Sequence, residues 1–211
     1  MTIQSVTVKS LRPTQIAVGM KLVKLKRKGL RAQEGKPQEL VDFILSNPLR
    51  VVAGPAKQFF IIDHHHLAHA LLDEGFKTAP VEIIADFSTL AMADFWMQMD
   101  AERWAHPYDG KGRKRALSTI PSKVKDLEDD PYRSLAGFVR MGGGFIKSQI
   151  PYAEFIWADY YRNKISVKAL KSDFRKCLEQ AKTMATSPDA ESLPGYIAQH
   201  VAKVVNKKED E

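Results

Sequence analysis

Cysteine is nearly absent from this sequence, since Cys177 is the one cysteine in 211 residues. A single cysteine cannot form an intrachain disulfide, which excludes the class of small secreted proteins held together by disulfides and favours a reducing compartment. Cys177 lies in an apolar pattern with a helical period. We therefore interpret it as a small buried side chain rather than as a nucleophile.

Long apolar runs are also missing. No segment approaches the roughly 20 apolar residues that a helix needs to cross a bilayer. The segment from Met1 to Ser10 is polar and lacks the apolar stretch of a signal peptide. We therefore expect a cytoplasmic protein that has no membrane partner.

A glycine-rich phosphate loop is absent as well. The glycines of the triplet Gly142-Gly143-Gly144 are not followed by Lys-Ser or Lys-Thr at the spacing that such a loop requires. What the sequence has instead is an excess of positive charge, with a formal net charge of +7 at pH 7. This charge favours an anionic partner such as nucleic acid or a nucleotide, although lysines on solvated faces would give the same number.

The sequence pattern changes near residue 86, from mixed strand and helix patterns to helical patterns alone. Predicted strands cover residues 6–11, 22–26, 49–53, 58–62 and 81–85, and predicted helices cover residues 36–47, 64–74, 90–99, 132–141, 151–163, 167–183 and 192–205. We therefore predict an α/β domain over residues 1–86 and a helical region over residues 87–211 that packs on it.

The residues that could take part in binding or catalysis are concentrated in the segment 59–76, which reads FFIIDHHHLAHALLDEGF. An apolar run meets one acidic residue and three histidines, and a helical pattern follows that ends at Gly75. This order predicts a buried strand, a polar turn and the start of a helix. Backbone N–H groups and the positive end of the helix dipole bind anions readily at such a junction.

The order of these elements resembles the N-terminal domain of the ParB and sulfiredoxin superfamily, and within it the group of ParB-like nucleases. Members of that group often carry a motif close to Asp-Gly-His-His-Arg at the strand-to-helix turn, which matches Asp63-His64-His65-His66 here. The similarity covers about residues 8–85, and shorter matches lie at residues 12–15, 130–136 and 154–155.

The resemblance implies an α+β fold in which a small mixed sheet with helices precedes the all-helical C-terminal region. It also implies a phosphate-bearing ligand, nucleotide or nucleic acid, and nuclease activity. The chain departs from the motif where His64 replaces glycine and His66 replaces arginine. Histidine lacks the permanent two-pronged donor set of arginine, which counts against a triphosphate clamp. Gln15 stands where the kinases of the superfamily carry an acidic residue, and no cysteine lies at the turn for a sulfiredoxin-type reaction.

The predicted catalytic residues are Asp63, His64 and His65, with a histidine as general acid or base. Asp63 has two interpretations: it caps the helix N-terminus, or it orients a histidine or holds a Mg²⁺ or Mn²⁺ ion that arrives with a phosphate. His65 and His69 stand four residues apart on one helix face. Together with Asp63 they are a candidate site for a divalent metal. The alternative is that the histidines are polar residues at the helix start that satisfy hydrogen bonds of the turn.

Five further residues are predicted to contact the ligand: His66, His69, Gln15, Arg133 and Lys24. Lys24 belongs to a basic cluster over residues 24–31, which is either the rim of an anion site or a solvated loop. Arg133 either supplies a cation to the ligand or forms a surface ion pair with Glu128 or Asp129.

Three functions are compatible with these residues. The first is a ParB-like nuclease that binds a phosphate-bearing ligand at the turn Asp63–His66. The second is a non-catalytic module that binds DNA or a protein, and the polar segment 106–115 would then follow a nucleic-acid backbone unless it is a solvated loop. The third is a small-molecule kinase or ATPase. A homo-oligomer is compatible with each of them.

Overall fold

The structure is a computed structural model that describes residues 3–198. The chain forms two compact units, Met1–Asp129 and Asp130–Glu211. Residue 86, where the sequence predicts a division, lies inside the first unit.

The first unit is built on a mixed sheet of five strands in the order β1-β6-β4-β5-β2. β1 pairs antiparallel with β6 and β4 pairs antiparallel with β5, whereas the pairs β4–β6 and β2–β5 are parallel. Two short strands, β3 and β7, pair parallel in a second sheet. The strands are β1 (Ile3–Thr7), β2 (Arg12–Pro13), β3 (Ala17–Val18), β4 (Leu49–Gly54), β5 (Gln58–Ile61), β6 (Thr78–Asp86) and β7 (Glu128–Asp129).

Four α-helices lie in each unit of the part of the chain that the structure describes. In chain order they are α1 (Met20–Arg31), α2 (Pro37–Ser46), α3 (His65–Asp73), α4 (Met92–Ala101), α5 (Pro131–Met141), α6 (Ala153–Arg162), α7 (Val167–Ser172) and α8 (Phe174–Ala185). Between residues 87 and 198 the only named strand is the two-residue β7. The predicted α+β fold, a small mixed sheet followed by a helical region, is confirmed.

The sheet of the first unit is covered on both faces. Val51 and Ile61 belong to the core that the sheet shares with α1 and α3. Their neighbours in the strands, Val52 and Phe60, point to the other face and pack in a cluster with Phe95 of α4. The rings of Phe60 and Phe95 are 4.3 Å apart. Burial on both faces explains why β4 and β5 read as apolar runs, and the packing of α4 on the sheet explains why this unit extends beyond residue 86.

Helix α1 corrects the prediction of a strand over residues 22–26 and of a loop for the basic cluster. Val23 and Leu30 are buried seven residues apart, on one face of the helix, while Lys24 is exposed. A short alternation of lysine with apolar residues fits both a strand and one side of a helix, because five residues are too few to separate the two periods. The burial of one face against α3 decides for the helix.

Two helix predictions near the C-terminus also need correction. The single helix predicted over residues 167–183 is broken at Asp173, whose side chain accepts a hydrogen bond from the Lys176 N–H and so caps α8. Of the helix predicted over residues 192–205, residues 192–198 form turns and irregular chain, and residues 199–205 lie outside the described part.

The second unit packs around Trp157. Its indole stacks on Phe145 at a centroid distance of 4.3 Å, and its Nε1 donates to the Pro194 carbonyl at 2.8 Å. Cys177 is 4% exposed in the same core, which confirms that it is a buried side chain. Within residues 3–198, no helix has both the length and the apolar character that a transmembrane span requires.

Candidate functional site

The polar turn joins β5 to α3 and places two exposed groups at its surface. His64 has a left-handed backbone conformation, with φ 68° and ψ 28°, and is the N-cap residue of α3. The Asp63 carboxylate is 58% exposed, and its Oδ1 accepts a hydrogen bond of 2.6 Å from the His64 N–H. Asp63 therefore stabilises the turn one residue before the helix, and the interpretation of Asp63 as the N-cap is wrong.

The His64 imidazole has a fixed orientation and a defined tautomer. Its Nδ1 lies 3.1 Å from the Pro48 carbonyl oxygen. A carbonyl oxygen only accepts hydrogen bonds, so Nδ1 must carry the proton in this contact. In the neutral ring, Nε2 then keeps its lone pair. This nitrogen lies 4.0 Å from Asp63 Oδ2, in a side chain that is 36% exposed.

The next two histidines point inward and bind backbone N–H groups. His65 is 5% exposed, and its Nε2 accepts a hydrogen bond from the Thr14 N–H at 3.2 Å. The His66 Nε2 accepts from the Gly19 N–H at 3.0 Å. Thr14 is held a second time, because its hydroxyl donates to the Ile61 carbonyl at 2.7 Å. Both rings therefore fix the segment 14–19 against the turn.

His69 lies further along α3 and contacts charged groups of the helix pair. Its ring is 7% exposed, with Nδ1 3.4 Å from Asp73 Oδ1, and Asp73 in turn lies 3.2 Å from Arg27 of α1. Within residues 3–198, no group of three or more His, Cys, Asp and Glu side chains is arranged to hold a metal ion. The metal site of Asp63, His65 and His69 stays a prediction.

The other predicted ligand contacts are dispersed. Gln15 is 5% exposed, and its amide Nε2 donates to the Ala17 carbonyl at 2.7 Å. Lys24 is exposed on α1. Arg133 belongs to the second unit, where its guanidinium lies 3.7 Å from the Glu154 carboxylate and 5.2 Å from the Phe155 ring centre. The acidic neighbour of Arg133 is therefore Glu154 of α6.

Comparison with known proteins identifies the family. Residues 4–163 match the model of the family described as "Putative ParB-like nuclease". This chain belongs to that family. It is similar, with 40% identity and a TM-score of 0.86, to protein Atu1540 from Agrobacterium tumefaciens, whose crystal structure it matches over 94% of this chain and 99% of that chain. No curated protein sequence matches it.

His64 and His66, where the resemblance implied glycine and arginine, have different structural roles at the turn. Glycine adopts the φ of 68° without strain, whereas His64 adopts it at a cost of about 1 kcal/mol. His66 accepts a hydrogen bond from a backbone N–H, which an arginine at this position could not do, because a guanidinium has no acceptor atom. In this ParB-like chain, His64 therefore adds a chemical group to the surface of the turn, and His66 acts as an internal brace.

The first prediction concerns the buried histidine of the turn. We expect His65→Ala to lower the free energy of unfolding by about 1–3 kcal/mol, because the buried Thr14 N–H loses its acceptor. Urea unfolding measures the loss. His65→Gln is the matched control, since its side-chain carbonyl can accept the same N–H and should recover part of the stability. Equal stability of His65→Ala and the wild type would contradict the role assigned to His65.

The polar segment 106–115 was predicted to follow a nucleic-acid backbone or to be a solvated loop, and in the structure it forms a braced hairpin. Tyr108 and Lys114 form an antiparallel bridge, and the Arg115 N–H donates to the Pro107 carbonyl at 2.7 Å. Asp109 lies inside the loop and is 6% exposed. The run Asp-Gly-Lys-Gly-Arg at residues 109–113 was the available signal, because Asp and Gly at this spacing are typical of tight turns.

Asp109 fixes the conformation of this loop. Its Oδ1 accepts hydrogen bonds from the Lys111 and Arg113 N–H groups at 2.9 and 3.0 Å, and its Oδ2 accepts from the Arg113 guanidinium. Burial alone would raise the pKa of Asp109, but the hydrogen bonds from Arg113 and Lys111 outweigh it and lower the pKa to about 2. The loop is therefore tied together by an ionised carboxylate.

The second prediction follows from this lowered pKa. Because the folded-state pKa lies below the unfolded value of about 3.9, the stabilisation by Asp109 is complete above about pH 4 and is lost as the pH falls through about 2. Carboxyl-carbon NMR should show Asp109 titrating near pH 2. Asp109→Asn should remove this part of the acid dependence of stability. A titration midpoint near 4 would contradict the bracing role.

Proposed function

We propose that this ParB-like protein binds the phosphate backbone of a nucleic acid at the turn Asp63–His66 and hydrolyses a phosphodiester bond there. The observation that carries the proposal is the hydrogen bond between His64 Nδ1 and the Pro48 carbonyl, which leaves Nε2 as the basic nitrogen of a side chain that is 36% exposed. His65 and His66 differ from His64, because their Nε2 atoms already accept hydrogen bonds from backbone N–H groups.

His64 would act as the general base in this reaction. Its Nε2 takes a proton from a water molecule that attacks the phosphorus, the P–O bond to the leaving oxygen breaks, and solvent protonates the leaving alkoxide. Throughout, the Nδ1–H of His64 keeps its hydrogen bond to the Pro48 carbonyl. The imidazolium that forms is stabilised by the carboxylate of Asp63, whose Oδ2 lies 4.0 Å from Nε2. The left-handed conformation of His64 holds the ring at the surface of the turn. Backbone strain of this kind is concentrated at functional sites.

The phosphate would lie above the start of α3. The first turn of this nine-residue helix directs its dipole toward the turn, and an anion there is stabilised by about 0.3–1 kcal/mol. The net charge of +7 supports an anionic partner. The single buried cysteine fits a cytoplasmic location, which we include in the proposal.

A divalent metal enters the proposal through Asp63 alone. Asp63 is the exposed carboxylate at the turn, and its Oδ2 could contact an ion that arrives with the phosphate substrate. Such an ion would supply positive charge to the phosphate when it is bound. His69 is not part of this arrangement, because its ring lies beside Asp73.

The test is a cleavage assay with purified wild-type protein on single- and double-stranded DNA and RNA, each with Mg²⁺, with Mn²⁺ and with a chelator. We expect cleavage of at least one of these nucleic acids, and a lower rate for Asp63→Asn than for the wild type. Complete absence of cleavage in every combination would remove the catalytic proposal.

A specific observation favours a second function, a binding module without catalysis. Two of the three consecutive histidines bind backbone N–H groups inside the protein, so they have structural roles at the turn. A protein of this kind would bind nucleic acid with an affinity that falls steeply with salt and would produce no cleavage. The same set of nucleic acids, used in a binding assay, separates the two functions.

A further inference from the structure

A cavity lies beside the braced loop 107–115 of the first unit. Its volume is about 310 Å³, which is at the lower end of the size of small-ligand sites. Its polar lining combines three cationic side chains, a threonine and two carboxylates: Lys111, Arg113, Arg115, Thr119, Asp109 and Glu128. None of these residues belongs to the turn Asp63–His66, so the cavity is a separate feature.

Both carboxylates of the lining are already in use. Asp109 accepts hydrogen bonds from the backbone and the guanidinium of Arg113. Glu128 Oε2 accepts from the Gly110 N–H at 2.9 Å. Both carboxylates hold the loop in place, and Asp109 also neutralises part of the charge of Arg113.

Two of the cations have no such counterpart. Within residues 3–198, neither the Lys111 ammonium nor the Arg115 guanidinium forms an ion pair, and both side chains are exposed. The loop that carries them is fixed by Asp109 and by the hydrogen bond between Arg115 N–H and the Pro107 carbonyl. Cations on a fixed loop lose little conformational freedom when they bind an anion, which favours affinity.

The root of this loop is connected to the turn through one residue. Thr14 donates its N–H to His65 Nε2, and its carbonyl accepts the His106 N–H at 2.8 Å. His106 also stacks on Tyr108 with 4.5 Å between the ring centres. Thr14 is therefore hydrogen-bonded both to the turn and to the root of the braced loop.

We propose that this cavity binds a phosphate group, belonging to a nucleic-acid strand or to a free nucleotide, through Lys111 and Arg115. The guanidinium offers a planar pair of donors to phosphate oxygens, and the ammonium supplies a point charge. For the strand, the inference rests on the proposed function, because the same nucleic acid would contact the turn and the cavity. It deepens that function by naming a second phosphate contact.

The test measures binding of a fluorescent single-stranded oligonucleotide by anisotropy over a series of salt concentrations. The variant Lys111→Ala/Arg115→Ala removes two charges that make no ion pair among the described residues. The matched control, Lys9→Ala/Lys77→Ala, removes two charges from exposed lysines of the same unit that do not line the cavity. We expect the first variant to bind about tenfold or more weakly, with the slope of log K against log salt reduced by about 1.4, and the control to keep the wild-type slope.

A second arm uses a nucleoside monophosphate and thermal shift. Loss of the shift in Lys111→Ala/Arg115→Ala, but not in the control, indicates that a single phosphate suffices; loss in the oligonucleotide arm alone indicates a strand. Unchanged binding in both arms, or an equal loss in the control, would overturn the inference. Measuring cleavage in the same samples keeps the two proposals apart: binding that depends on Lys111 and Arg115 without any cleavage refutes only the nuclease, whereas cleavage with unchanged binding refutes only the cavity site.

Discussion

The variant His64→Gly is expected to cleave nucleic acid about 100- to 10,000-fold more slowly than the wild type, which is the usual contribution of a general base. Its free energy of unfolding should change by about 1 kcal/mol or less. The ring loses its hydrogen bond to the Pro48 carbonyl, which costs about 1 kcal/mol, but glycine relieves the strain of the left-handed backbone by a similar amount. A cleavage assay and urea unfolding of the same preparation measure both effects.

The control for this variant is His64→Ala. Both substitutions remove the imidazole, so the two variants should be equally slow. Alanine retains the strain at φ 68°, so His64→Ala should be less stable than His64→Gly by about 1 kcal/mol. Free imidazole added to the buffer should restore part of the activity of His64→Gly, because the lost group is a base at the surface of the turn. Wild-type activity in either variant would show that His64 is not the base.

Local sequence pattern predicted the elements that have a long pattern and the strands that are buried on both faces of the sheet. The apolar runs of β4 and β5, the helix that ends at Gly75 and the helix that begins at Pro131 all lie within a few residues of their predicted positions. Helix α1 was missed because its lysine-rich face dominates a short window. The extent of the first unit was not predictable, because only the packing of Phe95 against Phe60 shows that α4 covers the sheet.

The turn itself was predictable, but the separate roles of its histidines were not. The sequence indicated a strand-to-helix junction with Asp63 and three histidines. The direction of each ring is decided by its partner, and these partners are distant in the chain: His65 binds a residue 51 positions away and His66 one 47 positions away. Spacing along a helix indicates which side chains share a face, but it cannot show that two rings bind the backbone of another segment and one remains at the surface.

The second unit contains a buried ion pair that gives the other large expected effect. Asp130 is 1% exposed and caps α5, since its Oδ1 accepts from the Tyr132 N–H at 2.9 Å, while its Oδ2 accepts from the Arg162 guanidinium at 2.8 Å. The guanidinium also lies over the ring of Tyr132, 4.7 Å from its centre. Burial raises the pKa of Asp130, and the hydrogen bond and charge of Arg162 act against that rise. Arg162 lies 32 residues from Asp130 in the chain, so local sequence pattern does not predict this pair.

We expect Asp130→Asn to lower the free energy of unfolding of the second unit by about 3 kcal/mol. Asparagine retains an acceptor for the Tyr132 N–H, so the cap survives, but the half-buried Arg162 loses its most buried anionic partner. Asp159, at 3.1 Å from Arg162 and half exposed, compensates only weakly. Hydrogen exchange of the amides in α5 and α6 locates the loss in this unit.

The double variant Asp130→Asn/Arg162→Met provides the control for that prediction. Removing both charges leaves neither one buried without a partner, so the double variant should be more stable than Asp130→Asn alone, although it contains one more substitution. Such a reversal shows that the cost of Asp130→Asn comes from the isolated guanidinium and not from a weakened cap. If the double variant were instead less stable than Asp130→Asn, the isolated guanidinium would not explain the loss, and a weakened helix cap would have to account for it.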